Sequence, residues 1–577
     1  MKLQGPGRQR VFSATPERIG GREIPGIFTI PSGVITTLPP AIKLLAQRVP
    51  QLGILTTKSI GKEPRAGYRE PIMAEYFPGG FINAVGLSNP GAAEFRKEIQ
   101  AVYPLPGGKF LLTSIFGESV EDFVEVAGTL ADCTDGFELN LSCPHGGKAG
   151  WVVGSDPEMV EEIIRAVREE TELPVVCKLS PQASDIAGMA KRCRDAGASA
   201  LTLVNTVGPA VVADREGRAI LGHTTGGLSG RGILPVGLRC VAEASRAADD
   251  IPIIATGGIS TAADVRAYKR AGASFFAVGS ALAGLDTNGV VKFFERLSED
   301  MEKETEKIAG SDTAFPHWHM AYRYLRVSSV RRMGEDLKEI QMEAALQVQP
   351  GQFFFVCIPG EGEKPFSVIS DDPLTFTFRN VGNFTSRLFQ VDPGETLLVR
   401  GPYGRGFPTE LDGTLYFLGG GIGVVPLVHY ARKVRKARKA FFGAQETVDP
   451  GFIREISVIS QEELIVEVDP PGTVGTVVRR VDAFLESGEM AADARFLISG
   501  PAPMIYAALQ SLRGKVADDR VHFAREDYTK CGVGLCGSCT TESGHRSCVD
   551  GPVFTAAEGE IFITGLWKRG PDGRRFF

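Results

Sequence analysis

The sequence lacks several features that define large classes of proteins. No uncharged apolar run approaches the ~18 residues that a membrane-spanning helix needs, so no membrane segment is expected. The basic residues near the N-terminus are not followed by an apolar stretch, which argues against a secretory signal and favours a cytoplasmic protein. Positive charge is not in excess, because 63 Lys and Arg stand against 69 Asp and Glu, a net charge of −6. A nucleic-acid partner is therefore not expected.

Cysteine is scarce and unevenly distributed. Ten cysteines occur in 577 residues, and four of them form one short C-terminal segment with the spacing Cys531-x4-Cys536-x2-Cys539-x8-Cys548. The Cys-x4-Cys-x2-Cys part matches a plant-type [2Fe–2S] site. A structural zinc site usually has two close Cys pairs separated by a longer span, so zinc fits less well, and inert thiols are a further alternative. We therefore predict a two-iron cluster at these four cysteines.

The first 310 residues alternate apolar runs with segments of helical spacing. Eight apolar runs lie between Ile27 and Ser280, and helical patterns such as Asp156–Glu170 and Thr261–Ala271 separate most of them. Eight strand–helix units in this length predict a (β/α)8 barrel, with a doubly wound open sheet as the alternative. Barrels place their chemistry at the carboxyl ends of the strands. The polar residues and glycines at these positions are Lys58, Asn140, Lys178, Asn205, Gly257 and Gly258.

The pattern changes after a hydrophilic stretch that includes Ser298–Lys307. Short alternating runs from about residue 320 predict a small antiparallel barrel, and a strand–helix rhythm returns from about residue 413. We therefore predict an α/β protein with four domains. They are a (β/α)8 barrel over 1–310, a β-barrel over 311–408, an α/β domain over 409–522 and a cysteine-loop domain over 523–577.

Two motifs in the second half of the chain can bind phosphate groups. Gly419–Gly423 follows an apolar run and opens a helical one, so its backbone N–H groups can face a pyrophosphate. Glycine turns after strands are also common without a ligand. Upstream, Lys364–Ser367 offers a cation and a hydroxyl, and Gly382–Ser386 begins a helix-like segment. Together these groups can hold a flavin and its phosphates.

The order of these motifs resembles the ferredoxin–NADP reductase superfamily. KPFS at 364–367, GPYGRGF at 401–407, GGGIG, SGPAPM at 499–504 and a cysteine loop that ends in CVDGPVF at 548–554 are most similar to the electron-transfer subunit of two-subunit, NAD-dependent dihydroorotate dehydrogenases. The resemblance covers about residues 320–577 and implies FAD in 311–408, NAD in 409–522 and a [2Fe–2S] cluster in 523–577. One departure is Lys364, where the superfamily favours an arginine that grips the flavin pyrophosphate with two donors. The residues implied to bind these cofactors are Lys364, Pro365, Phe366, Ser367, Thr385, Ser386, Gly420, Gly421 and Gly423.

The barrel carries a redox motif of its own. ELNLSCP at 138–144 ends the fourth apolar run, and a cysteine before a proline, here Cys143, can stand exposed in a pocket as a base. A buried strand cysteine is the alternative. The region from about 20 to 300 resembles the catalytic barrel of class 1 dihydroorotate dehydrogenases. The other motifs that carry this resemblance are TKSI at 57–60, NAVGL at 83–87, KLS at 178–180, NT at 205–206, GGLSG at 226–230, TGGI at 256–259 and VGSA at 278–281.

This second resemblance implies FMN and a pyrimidine substrate in the barrel. Lys58 and Lys178 would approach the flavin ring, where positive charge stabilises the reduced, anionic flavin. Cys143 would remove the C5 proton of dihydroorotate while hydride leaves C6 for FMN. The residues implied to bind FMN are Ser32, Lys58, Ser59, Asn140, Lys178, Gly226, Gly227, Gly257, Gly258, Gly279 and Ser280. Those implied to bind the substrate are Lys58, Asn83, Gly86, Leu87, Asn140, His145, Asn205 and Thr206.

Two departures from the family bear on the substrate. The family usually has asparagine after Ser-Cys-Pro, where this chain has His145, and it tends to Arg-x-Gly-Asn, where this chain has Arg65-Ala66-Gly67-Tyr68. His145 either hydrogen-bonds the same substrate, marks a different one or faces solvent.

The two resemblances together predict an NAD-dependent dihydroorotate dehydrogenase that passes electrons from FMN through the cluster and FAD to NAD+. One alternative reverses this circuit and uses NAD(P)H to reduce another unsaturated ring or amide. A second alternative is an electron-transfer module for a partner protein. That alternative predicts the loss of Lys58, Cys143 or Lys178, and all three are present. We expect small-molecule partners and a homodimer.

Overall fold

The computed structural model describes residues 17–141, 156–303, 319–445, 450–469, 476–558 and 568–576. The chain divides into two compact units. The first comprises Met1–His319 with two short segments, Val533–Thr540 and Arg569–Arg574. The second comprises Met320–Gly532, Thr541–Lys568 and Arg575–Phe577. In the described part of the chain, no helix is long and apolar enough to cross a membrane.

The first unit is built on a closed barrel of parallel strands. A hairpin of β1 (Arg18–Ile19) and β2 (Arg22–Glu23) precedes it. The barrel strands are β3 (Phe28–Ile30), β4 (Leu52–Thr56), β7 (Phe110–Ile115), β8 (Gly136–Asn140), β9 (Val175–Leu179), β10 (Ala200–Leu203), β13 (Ile253–Thr256) and β14 (Phe275–Ala277). Their order around the barrel follows the chain, and β14 pairs with β3 to close the ring. The predicted (β/α)8 barrel is confirmed, and the open sheet is excluded.

Helices alternate with the barrel strands of the first unit, and several begin at a capping side chain. Asp156, Asp185, Thr261 and Asp286 each accept a hydrogen bond from a backbone N–H of the first turn, which would otherwise have no partner. The helices are α1 (Pro39–Arg48), α2 (Ala92–Ile99), α3 (Val120–Leu130), α4 (Pro157–Glu170), α5 (Ile186–Asp195), α6 (Leu234–Ala247), α7 (Ala262–Ala271) and α8 (Thr287–Glu302).

Two further features accompany this barrel. At the amino-terminal end, Ile19 and Ile24 of the hairpin segment pack in one buried cluster with Phe110 and Phe275. A separate antiparallel sheet consists of β5 (Met73–Phe77) and β6 (Gly80–Asn83), which follow β4, and of β11 (Val207–Ala210) and β12 (Gly226–Gly230), which follow β10. The order of its strands is β11-β12-β6-β5.

The second unit contains a closed antiparallel barrel, as predicted, and an α/β sheet. The barrel consists of β15 (Arg323–Arg332), β16 (Leu337–Met342), β17 (Phe353–Ile358), β18 (Gly362–Asp371), β19 (Leu374–Arg379) and β20 (Thr396–Tyr403), with α9 (Asn383–Phe389) after β19. The sheet has the order β23-β22-β21-β24-β25-β26 and is parallel except for its last pair. The predicted boundaries between four domains stay predictions.

The strands of this sheet are β21 (Leu415–Gly420), β22 (Ala437–Gln445), β23 (Ser460–Asp469), β24 (Arg495–Ser499), β25 (Val521–Ala524) and β26 (Val553–Thr555). The accompanying helices are α10 (Val425–Lys433), α11 (Pro450–Ile456), α12 (Thr476–Glu486) and α13 (Ala502–Leu512). A last pair of strands is β27 (Lys568–Arg569) and β28 (Arg575–Phe576).

A buried lysine holds the amino-terminal end of the first barrel together. The Lys109 ammonium donates to the carbonyls of Val49 at 2.9 Å, Pro50 at 3.2 Å and Leu52 at 2.5 Å. We expect Lys109→Met to lower the free energy of unfolding of the first unit by about 1–3 kcal/mol, because it removes the donor from these carbonyls. Urea unfolding followed by circular dichroism measures this change. The exposed Lys97→Met is the control, and equal stability of the two variants would contradict the expectation.

Candidate functional site

A polar network lies at the carboxyl ends of the first-unit barrel strands. The Ser59 hydroxyl is 3.2 Å from that of Ser32 and 2.9 Å from that of Ser114. The Asn140 amide donates to Ser59 Oγ at 3.0 Å, and the Asn205 amide lies 3.4 Å from Asn140 Oδ1. These residues follow or end β3, β4, β7, β8 and β10, so closure of the barrel brings together side chains that are far apart in sequence. The network unites four of the predicted site residues.

Two buried lysines flank this network. Lys58 is 7% exposed and donates to Ser88 Oγ at 3.0 Å. Lys178 is 6% exposed, and its Nζ lies 3.7 Å from Oε1 of Glu138, a carboxylate that is itself buried. The other oxygen of Glu138 accepts a hydrogen bond from Thr202 at 3.0 Å. A buried lysine is stable when a carboxylate or several acceptors surround it, so Glu138 fixes the Lys178 charge inside the barrel.

The predicted substrate residues of the first unit meet along the antiparallel sheet. Asn83 ends β6 and pairs with Gly227 of β12, and a Cβ at Gly227 would clash with Thr206 Oγ1. The turn after β6 contains Gly86 and Leu87, both with positive φ, at 75° and 54°. Asn83, Thr206 and Gly227 therefore belong to one packed group. The structure places Gly226 and Gly227 in a strand of this sheet.

Tyr68, one of the departures from the family pattern, packs beside the Gly86 turn. Its backbone N–H donates to the Val85 carbonyl at 3.0 Å, and a Cβ at Gly86 would lie 2.8 Å from the Tyr68 ring. The ring also stacks on His223, with 3.7 Å between the ring centroids and an interplanar angle of 5°. The two rings together form a flat aromatic wall next to the predicted substrate loop.

A glycine turn and an arginine can together hold a phosphate group, and we call them the phosphate cradle. Gly257 and Gly258 have φ of 115° and 77°, which a side chain would disfavour, and their turn follows β13. A Cβ at Gly258 would lie 3.0 Å from the carbonyl oxygen of Gly230, the last residue of β12. Arg231 Nη1 donates to Ser260 Oγ at 3.3 Å. Arg231 Nη2 is buried and has no hydrogen-bond partner among the described residues.

The buried Nη2 of Arg231, which lacks a partner among the described residues, is suited to bind a phosphate oxygen. A buried donor without a partner is costly, and a phosphate oxygen beside the glycine turn would satisfy it. Gly279 and Ser280 lie after β14, where Gly279 packs near Pro31. The Gly257–Gly258 turn and Arg231 would therefore hold the FMN phosphate, and Arg231 was not among the residues predicted from the sequence.

Two predicted residues lie outside the described residues. Cys143 and His145 belong to the stretch 142–155, and β8 ends at Asn140, three residues before Cys143. Their roles stay predictions.

The second unit contains a cavity of about 610 Å³ between its barrel and its α/β sheet. Seven of the predicted cofactor residues line it: Pro365, Phe366, Ser367, Thr385, Gly420, Gly421 and Gly423. Two glycine turns approach each other at its wall, because a Cβ at Gly423 would lie 2.5 Å from the Cα of Gly500. The cavity can thus admit a flat dinucleotide against backbone N–H groups from two turns.

Lys364 and Ser386 are not among the residues that line the cavity. The Lys364 ammonium lies 5.7 Å from the centre of the Tyr528 ring, and the Ser386 hydroxyl donates to Asn380 Oδ1 at 2.8 Å. Arg379, at the end of β19, does line the cavity. It offers the planar guanidinium that the superfamily has at the position of Lys364. Sequence patterns gave no signal for Arg379 because it lies outside the recognised motifs.

The four clustered cysteines are all buried, with exposed fractions of 0% for Cys531, 4% for Cys536, 2% for Cys539 and 1% for Cys548. They occur in a segment without helix or strand between β25 and β26. These four buried cysteines can supply the four thiolates, two on each iron, that a two-iron cluster needs.

Comparison with known proteins agrees with this geometry. The model of the family "Dihydroorotate dehydrogenase" matches residues 11–301, and that of the "Iron-sulfur cluster binding domain of dihydroorotate dehydrogenase B" matches residues 526–558. The first match covers half of the chain. The chain belongs to the dihydroorotate dehydrogenase family. The predicted family, fold class and oxidoreductase class are confirmed.

Several curated relatives carry the name "Dihydroorotate dehydrogenase B (NAD(+)), catalytic subunit". The protein of Pyrococcus abyssi is 40% identical over 255 residues, which are 44% of this chain and 82% of that protein. That of Methanothermobacter thermautotrophicus is 40% identical over 233 residues, 40% of this chain and 75% of the relative. That of Geobacillus kaustophilus is 41% identical over 235 residues, 40% of this chain and 73% of the relative.

The arginine of the phosphate cradle yields a prediction. We expect Arg231→Gln to weaken FMN binding by about tenfold, because a charge-assisted hydrogen bond to phosphate contributes about 1.5–3 kcal/mol. Fluorescence titration of flavin-stripped protein with FMN measures the dissociation constant. Riboflavin, which has no phosphate, is the matched control ligand, and its affinity should not change. An equal loss of affinity for both ligands would show that Arg231 does not contact the phosphate.

Proposed function

We propose that the protein oxidises dihydroorotate to orotate in the cytoplasm and passes the electrons to NAD+. The observation that carries the proposal is the polar layer at the carboxyl ends of the first barrel, where Ser59, Asn140 and Asn205 are joined by hydrogen bonds between Lys58 and Lys178. Membership of the dihydroorotate dehydrogenase family and an iron–sulfur domain in the same chain support it.

The chain's own residues would bind, orient and deprotonate the substrate. Asn83, Asn140, Asn205 and Thr206 offer amide and hydroxyl groups that suit the carbonyl and N–H edges of a pyrimidine ring. Cys143 would take the proton from C5. When bound, FMN would supply hydride acceptance from C6, and the cluster and FAD would supply the one- and two-electron steps that lead to NAD+.

The two lysines would set the charge at the flavin. Lys58 is anchored to Ser88, and Lys178 is anchored to Glu138, so both ammonium groups are fixed before substrate binds. A fixed positive charge near the ring stabilises negative charge that develops there.

The most direct test is an anaerobic titration of purified protein with dihydroorotate, followed by flavin absorbance and then by addition of NAD+. We expect dihydroorotate, added at substoichiometric to millimolar concentrations, to bleach the flavin absorbance. The NAD+ added afterwards should be reduced to NADH. Flavin that stays oxidised at millimolar dihydroorotate would refute the substrate assignment.

A second candidate function keeps these cofactors but reverses the direction, with NADH reducing another unsaturated ring. The stacked pair Tyr68 and His223 favours it, because this aromatic wall stands where the family tends to have asparagine. NADH-reduced enzyme would then be reoxidised under anaerobic conditions by uracil-like rings faster than by orotate. The opposite order supports dihydroorotate oxidation.

The proposed base gives one prediction. We expect Cys143→Ala to slow flavin reduction by dihydroorotate ~10²–10⁴-fold while FMN stays bound, which is the usual effect of removing a general base. Stopped-flow absorbance measures this rate. Cys240→Ala, which alters a buried cysteine of α6, is the control and should keep the wild-type rate. Full activity of the Cys143 variant would remove the proposed chemistry.

The cluster gives another prediction. We expect Cys536→Ser to leave flavin reduction by dihydroorotate intact but to abolish most NAD+ reduction, because serine is a poor iron ligand compared with thiolate. Iron and sulfide analysis with NADH formation assays measures the two effects. Cys240→Ser, in α6 and outside the cysteine loop, serves as control. Near-normal NADH formation without a cluster would mean that the electrons take another route.

A further inference from the structure

A buried ion pair lies beneath the first cysteine of the loop, and both partners belong to the second unit. Arg400 of β20 and Glu363 of β18 have fully buried side chains. Arg400 Nε donates to Glu363 Oε2 at 2.9 Å, and Nη2 donates to Oε1 at 2.5 Å. The Tyr322 hydroxyl donates to the same carboxylate at 2.7 Å. The carboxylate thus has three donors, as a buried charge requires.

The outer side of the Arg400 guanidinium faces the cysteine loop. Nη1 donates to the backbone carbonyl of Cys531 at 2.7 Å, and Nη2 lies 3.4 Å from the carbonyl of Lys530. Nη1 also donates to the Tyr403 hydroxyl at 3.1 Å. With Glu363 and Tyr322 on one side and the loop on the other, every guanidinium nitrogen has a partner. Glu363 accepts from two of the five guanidinium N–H groups, and the loop carbonyls and Tyr403 accept from the others.

Aromatic rings fix the position of this guanidinium. Its central carbon lies 3.9 Å from the centre of the Phe355 ring, 5.4 Å from that of Tyr403 and 5.7 Å from that of Tyr322. The rings of Phe355 and Tyr403 also contact the loop, because a Cβ at Gly532 would lie 3.0 Å from Phe355 and 3.1 Å from Tyr403. The arginine and its rings therefore form one rigid floor for residues 530–532.

The same group reaches the strand that lines the cofactor cavity. Glu363 directly precedes Lys364–Ser367 in β18, and Pro365, Phe366 and Ser367 line the cavity. Phe355 and Arg400 are opposite each other on β17 and β20. One planar side chain, Arg400, thus bridges the flavin-binding strand and the backbone of the first predicted iron ligand.

We propose that Arg400 is a positioning residue that fixes the backbone of Cys531 and places a permanent positive charge beside the cluster. This inference rests on the proposed presence of a [2Fe–2S] cluster. When such a cluster accepts one electron, one ferric ion becomes ferrous and the cluster gains one negative charge. A fixed cation stabilises that added charge, so it raises the reduction potential of the cluster.

The charge arrangement predicts shifts of opposite sign in two variants of the full-length protein. Glu363→Gln leaves Arg400 uncompensated, so the reduced cluster should be stabilised and the potential should rise. The double variant Arg400→Met/Glu363→Gln removes the nearer cation together with the more distant anion, so the potential should fall. We expect about a tenfold change in the ratio of reduced to oxidised cluster in each case, which for one electron is about 59 mV.

The measurement is a dye-mediated redox titration of the protein, in which the electron paramagnetic resonance signal reports the reduced cluster. FAD content and circular dichroism confirm that each variant is folded. The control is Arg331→Met/Glu339→Gln, which removes a two-donor pair of β15 and β16 that has no contact with residues 530–532 among the described contacts. This control should keep the wild-type potential.

A further variant separates placement from charge. Arg400→Lys keeps the charge but cannot bond Glu363 and Cys531 at once with a planar fork. We expect a reduction potential near that of the wild type. The lines of the electron paramagnetic resonance spectrum should be broader, because the backbone of the first ligand is less fixed. Potential shifts of opposite sign in Glu363→Gln and in Arg400→Met/Glu363→Gln support the proposal. Loosened packing alone would shift the potential of these two variants in the same direction.

Unchanged potentials, or shifts of the same sign, would overturn the inference while leaving the proposed function intact. A wild-type protein without iron would overturn both. If the double variant does not fold, Glu363→Gln decides alone: a rise in potential supports the proposal and an unchanged value refutes it.

Discussion

The parallel hydrogen-bond ladder between β14 and β3 is the interaction on which the first unit depends. It joins the last strand to the first and turns eight strands into a ring. The carboxyl ends of all eight strands then meet at one rim. There Ser59 lies within hydrogen-bond distance of both Ser32 and Asn140. In an open sheet of the same order, four strands would separate β3, which precedes Ser32, from β10, which precedes Asn205. Closure therefore creates the site as well as the core.

Much of this architecture is predictable because its signals are local and repeated. Each barrel strand is a short apolar run with a polar residue or glycine at its end, and the four cysteines identify their domain by spacing alone. The positions of Lys58, Asn140 and Lys178 were predictable for the same reason. Asn140 is the last residue of β8, Lys178 is the last but one of β9, and Lys58 lies two residues after β4. Their positions follow from the register, in which Asn140 pairs with Lys178.

The residues that sequence patterns missed all depend on pairing across the fold. Glu138 is a carboxylate within an apolar strand, and its meaning appears only when Lys178 of the next strand lies beside it. Arg231 and Arg400 resemble ordinary surface arginines in sequence, yet one lies at a glycine turn and the other is fully buried. A pattern along the chain carries no information about which charges are buried together.

The chain continues for well over two hundred residues beyond the barrel, whereas its relatives are named as catalytic subunits. Covalent linkage changes the kinetic order of a reaction between the two halves from second order to first order. Separate subunits meet at a rate that depends on concentration, but two modules in one polypeptide encounter each other at a fixed effective concentration. Under the proposed electron route, turnover that crosses from one half to the other would stay proportional to enzyme concentration on dilution. A cell that makes this protein also keeps the two halves at a ratio of one to one without coordinating two messages.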